Sequence, residues 1–437
     1  MVVIGGGYTG MWTAWQLLEA EPGIRVALLE SGVCGHGPSG RNGGFCESLW
    51  FGAPRLRERF GDAAARALLE ASSENVADIG AWCRDNDVDA WFDQGGYVCA
   101  STGPAFDAVG TAAVEAARAL GAPDAVQPLT PDELGARVRS PVFRRGVFVP
   151  DFATVQPARL ALGLRRRLVE RGAQVFERSR VRSLRTEPGG RGVVAATEGG
   201  SVRAGSAVLA LGPATRSVRP LRSRLSVTSS HIVLTEPVPD VIEELGWTGG
   251  ESVTDGRALL RYFRTTRDGR IAFGWGGGRI VCGARIGPRD HADRGLAGRV
   301  AADLVRFFPA LRGRRVEHAW GGPIDAAPAH LPIVAALPGG RAHAAFGYTG
   351  NGVGPSHLCG AILARLALDE RDALTRLPIV EPKTRLLPPE PLRVLGGEAI
   401  RVALDRKERA EEAGREPAPL ARAVAALPRL LGVEIGR

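Results

Sequence analysis

The pattern of apolar and polar positions changes period three times within the first thirty residues. Val2 to Ile4 is a β-branched run that predicts a buried parallel strand, and glycines at 5, 7 and 10 follow it as a loop. A helical pattern then runs from about Tyr8 until Pro22-Gly23 stops it, and Ile24 to Leu29 predicts a second strand that ends on Glu30. Residues 34–45, "CGHGPSGRNGGF", are too glycine-rich for a regular element. Helical patterns cover 54–92 and 104–120, the second with Val109, Ala113 and Ala116 on one side, and 145–157 mixes a strand with a turn.

Residues 157–186 predict a helix and then a strand, and "GSAVLALG" at 205–212 predicts another buried strand, so the α/β pattern of the N-terminus resumes there. Residues 226–320 differ: "HIVLTEP", "ALLRYFRTT" and "GRIAFGWG" are strand-like runs, followed by a helix over about 294–308. Strand, glycine loop and helix return at 341–368. The fold class expected is therefore α/β plus antiparallel β, a Rossmann-type nucleotide-binding domain interleaved with an antiparallel-sheet substrate domain. The first is assigned 1–50, 150–225 and 321–375, the second 51–149 and 226–320, and 376–437 a proline linker with a charged helix.

A G-x-G-x-x-G string carries weight only inside a strand-turn-helix-strand unit, which this one occupies. Gly5 permits the tight turn, Gly7 lets the backbone approach a pyrophosphate, and Gly10 lets the helix pack on the strand. Tyr8 and Thr9 open that helix, whose free N–H groups and positive dipole end suit a diphosphate. Glu30, twenty positions after Gly10 and followed by Ser31, is placed to accept hydrogen bonds from a ribose and would repel a 2′-phosphate. FAD or NAD is implied, and NADP disfavoured.

Composition narrows the alternatives. The net charge is +9, but all but two of the 56 basic residues are arginine, and Arg165-Arg166-Arg167 lies in a predicted helix without interleaved aromatics, so no nucleic-acid partner is expected. No run of 18 apolar residues occurs and the chain enters its first strand at once, so neither a membrane partner nor a secretory leader is expected. Six cysteines without a C-x-x-C spacing argue against a zinc site or a disulfide framework and fit a reducing cytoplasm; no metal is expected.

"GGGYTGMWTAWQL", "GPSGRNGGF", "VQPARLALGL", "YFRTTRDGR", "AWGGPID" and "GYTGNGVGPS", in that order, resemble the FAD-dependent oxidoreductases of the D-amino-acid oxidase superfamily, in particular the gamma-glutamylputrescine oxidase-like branch. The resemblance implies non-covalent FAD, a small-molecule amine substrate, and oxygen or another electron acceptor. It assigns Gly5, Gly7, Gly10 and Glu30 to the adenosine diphosphate and Ser39, Arg41 and Asn42 to the loop at the pyrophosphate. Gly43 and Gly44 match the segment under the isoalloxazine, and Val181 a backbone contact to adenine. Gly350, Asn351, Gly352, Val353 and Gly354 match the loop at the pyrimidine edge, where Pro355 suits the first turn of the following helix. His36 and Cys46 flank the flavin loop without a motif for covalent attachment. The lysine that monomeric sarcosine oxidases place above the flavin has no counterpart in "GRIAFGWG".

The activity so implied is oxidation of an amine or amino-acid C–N bond by hydride transfer to the flavin, the imine hydrolysing to a carbonyl. Alcohol oxidation on an amino sugar or similar metabolite, and a flavoprotein electron-transfer subunit, stay open. Tyr262 and Arg264 stand two apart in one predicted strand and so share a face, where phenol and guanidinium would hold a substrate anion. The alternative is a core tyrosine beside a surface arginine. Trp275 and Trp320 are candidates for the walls of an amine pocket or for core. His231, at the start of a strand, and Tyr348, before the flavin loop, are candidates to face the substrate or to serve packing.

Overall fold

The computed structural model describes residues 1–283 and 285–435. Two sheets organise them. The first has six strands in the order Ile333–Ala336, Ala342–Phe346, Ala207–Leu209, Val2–Ile4, Ala27–Leu29 and Gln174–Phe176. All neighbours are parallel except the first pair, which is antiparallel. The central strand, Val2–Ile4, is fully buried because helices cover one face of the sheet and a three-stranded antiparallel sheet, Ser183–Thr186, Val193–Ala196 and Ser201–Ala204, packs on the other. On one face the helices Tyr8–Ala20 and Val353–Ala367 pack together so closely that a Cβ on Gly360 would meet the Cβ of Trp12 at 2.7 Å.

The second sheet has eight strands: Val316–Ala326, Ser226–Thr235, Ile271–Trp275, Arg261–Thr265, Ser252–Asp255, Tyr97–Ala100, Gly146–Val149 and Gln127–Leu129. Its neighbours are antiparallel except for Ser252–Asp255 beside Tyr97–Ala100. One face carries an aromatic core in which Phe263 stacks on Phe273 at 5.0 Å and both meet Phe307 of the helix Arg294–Phe307. The other face is turned toward the first sheet's glycine loops, and the functional cavity lies there.

Four expectations need correction. The helical stretch expected over 54–92 is two helices, Ala53–Phe60 and Asp62–Asp85, because Gly61 between them has φ +77°, which a helix cannot contain. The chain beyond Asp85 turns back, with the ring of Phe92 lying where a Cβ on Gly80 would be. The helix expected from 104 begins as a 3₁₀ turn, Pro104–Phe106, and becomes α-helical only at Thr111. The strand Val316–Ala326 stays paired with Ser226–Thr235 through Ala326, so the antiparallel sheet runs past the expected boundary at 320. Finally, the tail holds two helices, Leu392–Glu412 and Pro419–Leu430, instead of one.

Candidate active site

A single continuous cavity of about 1340 Å³ runs from the first glycine loop to the open face of the second sheet. At one end Gly5, with φ +110°, turns the chain under the backbone of Ala210, where an added Cβ would sit 2.2 Å from a carbonyl oxygen. A Cβ on Gly10 would lie 1.9 Å from the Gly5 carbonyl oxygen, so this glycine serves helix-strand packing and does not line the cavity. Gly7 does line it, and a Cβ there would meet only the hydroxyl of Ser39, at 3.0 Å. The loop is thus tight on its protein side and open on its cavity side.

Glu30 ends its strand with both carboxylate oxygens facing this loop. Oε2 accepts from the Gly6 N–H at 2.7 Å, and Oε1 from the Gly32 N–H at 2.6 Å and the Ser31 hydroxyl at 3.0 Å. Oε2, with one donor, keeps acceptor capacity for another. The Tyr8 N–H donates to the Ser39 hydroxyl at 2.8 Å, fixing residues 34–45 against the start of the first helix. Asn42 ties its own loop, its amide donating to the Ser39 carbonyl at 2.8 Å and its Oδ1 accepting from the Gly44 N–H at 2.7 Å. Arg41 reaches His291 and His36, each at 2.8 Å. Gly43 lines the cavity, whereas Gly44 packs backward onto Val155. Val181 lines the cavity between Arg180 and Arg182.

At the other end Gly350, Asn351, Gly352 and Val353 line the cavity, with Gly352 as the N-cap of the helix Val353–Ala367. Gly354 does not line it: its Cβ would fall 2.5 Å from the Glu47 carbonyl oxygen, so it lets the helix lie against the strand Phe45–Glu47. Tyr348 is buried and pairs its hydroxyl with Thr9 at 2.7 Å, joining this loop to the first. The Tyr8 phenol likewise donates inward, to the Pro157 carbonyl at 2.7 Å.

Along the strand Ser226–Thr235 alternate residues Ser226, Thr228, Ser230 and Ile232 face the cavity. Tyr262 lies across the same face. Its ring occupies the space that a Cβ on Gly274 would take, and its hydroxyl pairs with Ser230 at 2.7 Å. Burial pushes the phenol's pKa up, so it stays protonated.

The other proposed catalytic side chains stand elsewhere. Arg264 shares the face of Tyr262, but the glycine loop covers it. Its guanidinium donates to the carbonyls of Gly43 (2.6 Å), Val155 (2.8 Å) and Thr265 (3.1 Å), and burial lowers its pKa to about 10. It braces the loop and does not line the cavity. Trp275 points to the opposite face, buried in the aromatic core with Arg299 stacked 3.9 Å from its ring. His231 also points there, its pKa lowered by burial. Trp320 donates to the Arg41 carbonyl at 2.8 Å, holding the flavin-loop segment from behind. None of the three lines the cavity.

Asp325 is a cavity residue that the sequence pattern does not mark. It sits in the run "AWGGPID", lines the cavity, and accepts from the Gly347 N–H at 2.6 Å, and among the described residues no cation pairs with it. Burial raises its pKa to about 6. Alternation along Val316–Ala326 does not reveal it, because "GGPID" gives the strand no clear apolar face. Gly274 and Ser230 were equally hidden, since their meaning depends on the ring of Tyr262.

Residues 1–366 match the family described as "FAD dependent oxidoreductase". The chain belongs to that family. An FAD-dependent oxidoreductase of this kind has curated relatives across most of its length. A probable oxidoreductase OrdL of Rhizobium meliloti is 29% identical over 393 residues, covering 87% of this chain and 86% of the relative. The gamma-glutamylputrescine oxidoreductase of Escherichia coli is 27% identical over 386 residues, covering 86% of each. Glycine oxidase from Geobacillus kaustophilus has the same fold, with a TM-score of 0.70 at 22% identity over 88% of this chain and 98% of its own. So has L-proline dehydrogenase from P. horikoshii, with a TM-score of 0.69 at 19% identity over 86% of this chain and 94% of its own.

The cavity fits FAD on its own terms. The space beside Gly7 is one that a side chain would fill, it adjoins a helix N-terminus and an acid, and it continues without a wall to the second glycine loop. Cys34 and Cys46 are buried behind the loops, and neither thiol lines the cavity. Among the described residues no group of three or more His, Cys, Asp or Glu is placed to hold a metal ion, and no helix is long and apolar enough to cross a membrane.

Proposed function

We propose that this FAD-dependent oxidoreductase oxidises the C–N bond of an amine. The observation that carries the proposal is the chemistry of the cavity's far end. Its sheet face offers hydroxyls and aliphatic side chains, and the arginines near it are already committed: Arg264 to three carbonyls, Arg393 to the carbonyls of Arg222, Leu225, Leu387 and Pro388, and Arg401 to Glu398. Such a face suits an amino group better than an α-carboxylate, which needs a free cation. The names of the relatives, a gamma-glutamylputrescine oxidoreductase and a glycine oxidase, agree with nitrogen as the heteroatom.

Gly5 to Thr9 would hold the diphosphate, Glu30 and Ser31 the ribose, and Val181 the adenine through its backbone. Ser39, Arg41, Asn42 and Gly43 would hold the pyrophosphate side of the ring system, and Gly350 to Val353 its pyrimidine edge, with the helix N-terminus favouring negative charge there. Gly10, Gly44 and Gly354 act by close packing. Bound FAD supplies the acceptor for hydride from the carbon bearing nitrogen, and the imine then hydrolyses. Tyr262, protonated and tied to Ser230, orients the substrate over the sheet face.

Incubation with a dye acceptor and a panel of amines, amino acids, amino sugars and matched alcohols tests this. Amines are expected to yield the carbonyl compound with loss of the amino nitrogen as ammonia or a smaller amine. Product from the alcohols alone would overturn it.

A further inference from the structure

The helix Leu392–Glu412 lies beyond residue 366, where the family match ends, yet it faces the cavity. Leu392, Gly396, Gly397, Ile400, Arg401 and Leu404 line it, positions that recur every three to four residues and so make one helical stripe. Across from them stand Leu259, Leu260 and Ile280, from the ends of the antiparallel sheet.

Two glutamates bolt the helix to that opposite wall. Glu398 accepts from the Ile280 N–H at 2.6 Å. Glu408 accepts from the N–H groups of Ala258 and Leu259 and pairs with Arg257 at 3.3 Å. Ten residues separate the two acids, roughly 15 Å of helix. The gap between the helix and Leu259, Leu260 and Ile280 is therefore fixed at both ends. Arg401 adds no free charge to it, since Glu398 at 2.7 Å and the Gly277 carbonyl at 3.3 Å engage its guanidinium.

Gly396-Gly397 is the informative pair. Each glycine weakens a helix relative to alanine. At Gly397 packing explains the choice, since a Cβ would meet Ile280 Cγ1 at 3.1 Å. At Gly396 nothing lies within 4 Å of the Cβ position, and the residue lines the cavity. The missing side chain there leaves room for something other than protein.

Building on the amine reading, we propose that the helix Leu392–Glu412 is a wall of the substrate chamber, with Gly396 leaving space for an unbranched apolar arm on the amine. The arm runs over Gly396 and Ile400 on the helix with Leu260 and Ile280 opposite, Leu404 and Leu259 close its far end as packed core, and the helix sets which arm lengths are accepted.

The test uses the FAD-loaded full chain and straight-chain primary amines from butylamine to decylamine, read by anaerobic flavin bleaching and by thermal shift. In the wild type the apparent dissociation constant is expected to fall about threefold to fourfold per methylene until the chamber is full. Gly396→Leu, a better helix former, should stay folded and yellow but lose that gain for the longer amines, and Ile400→Ala should move the optimum to longer chains. An unchanged length profile in both variants overturns the proposal. Should no amine bleach the wild-type flavin, the amine reading falls and thermal shift decides the wall. Stabilisation that grows with chain length and is lost in Gly396→Leu keeps it, and length-independent or absent stabilisation ends it.

Discussion

Arg264 and Tyr262 show how far strand parity reaches at the scale of a residue. Alternation places both on one face, but it does not say what covers that face at each point. The ring of Tyr262 lies over Gly274 and borders the cavity; above Arg264 lies the backbone of Gly43 and Val155, and the guanidinium satisfies those carbonyls. Arg264→Lys leaves one charged head for carbonyls that three nitrogens now serve. It is expected to destabilise the protein by about 2–4 kcal/mol and weaken FAD retention, with the amine KM of loaded enzyme little changed. A raised KM with unaltered melting and FAD affinity would restore Arg264 as a substrate ligand. Asp325 gives a prediction in pH. Its folded pKa of about 6 lies above the ordinary carboxyl value of 3.8, so its contribution to stability is fully present below 3.8 and is lost as pH rises through about 6. The loss is on the order of 3 kcal/mol. Asp325→Asn, which keeps an acceptor for the Gly347 N–H, should remove that limb, so the flavin-free variant gains melting temperature over wild type at pH 7.5 but not at pH 4. Parallel melting curves for the two proteins across this range would show that Asp325 is not buried as a charge.

At the scale of elements the sequence was most legible where period and punctuation agreed. The first strand, loop and helix, the helix Pro157–Glu170 and the helix Arg294–Phe307 all have apolar faces bounded by glycine, proline or aspartate signals. Residues 54–92 were less legible, because alanine-rich helix formers surround Gly61 and a single glycine does not announce a break until its φ is known. The glycine fingerprint was legible as a motif, and the structure divides its members by role. Gly7→Val should fold with near-normal melting when flavin-free but fail to retain FAD, since its side chain enters the cavity. Gly10→Ala should lower stability directly, because its Cβ collides with the Gly5 carbonyl. Equal loss of folding in both would contradict this division, and circular dichroism of the two apoproteins decides it.

For the whole molecule, the interleaving of two sheets followed from the switch between α/β and alternating patterns, and the family resemblance rested on runs spread from residue 5 to 356. The tail was the least legible part. Its composition predicted a proline linker and a charged helix, but not that Glu398, Glu408 and Glu412 point inward to Arg257, Arg261 and the Ile280 N–H, a pairing no local pattern displays. The chain's lysines, Lys383 and Lys407, do not line the cavity, and Lys407 pairs with Glu411. Without an ammonium there, reoxidation by air-saturated buffer should be slower than by a phenazine or quinone acceptor, as stopped-flow absorbance would record. The central claim, that one cavity brings FAD and an amine together, is tested most directly by mixing the yellow protein anaerobically with hexylamine and with its α,α-dideuterated form. Flavin bleaching by both, several-fold slower with deuterium, is the predicted result; a flavin that stays oxidised with every amine while a matched alcohol or NADPH bleaches it would contradict the account.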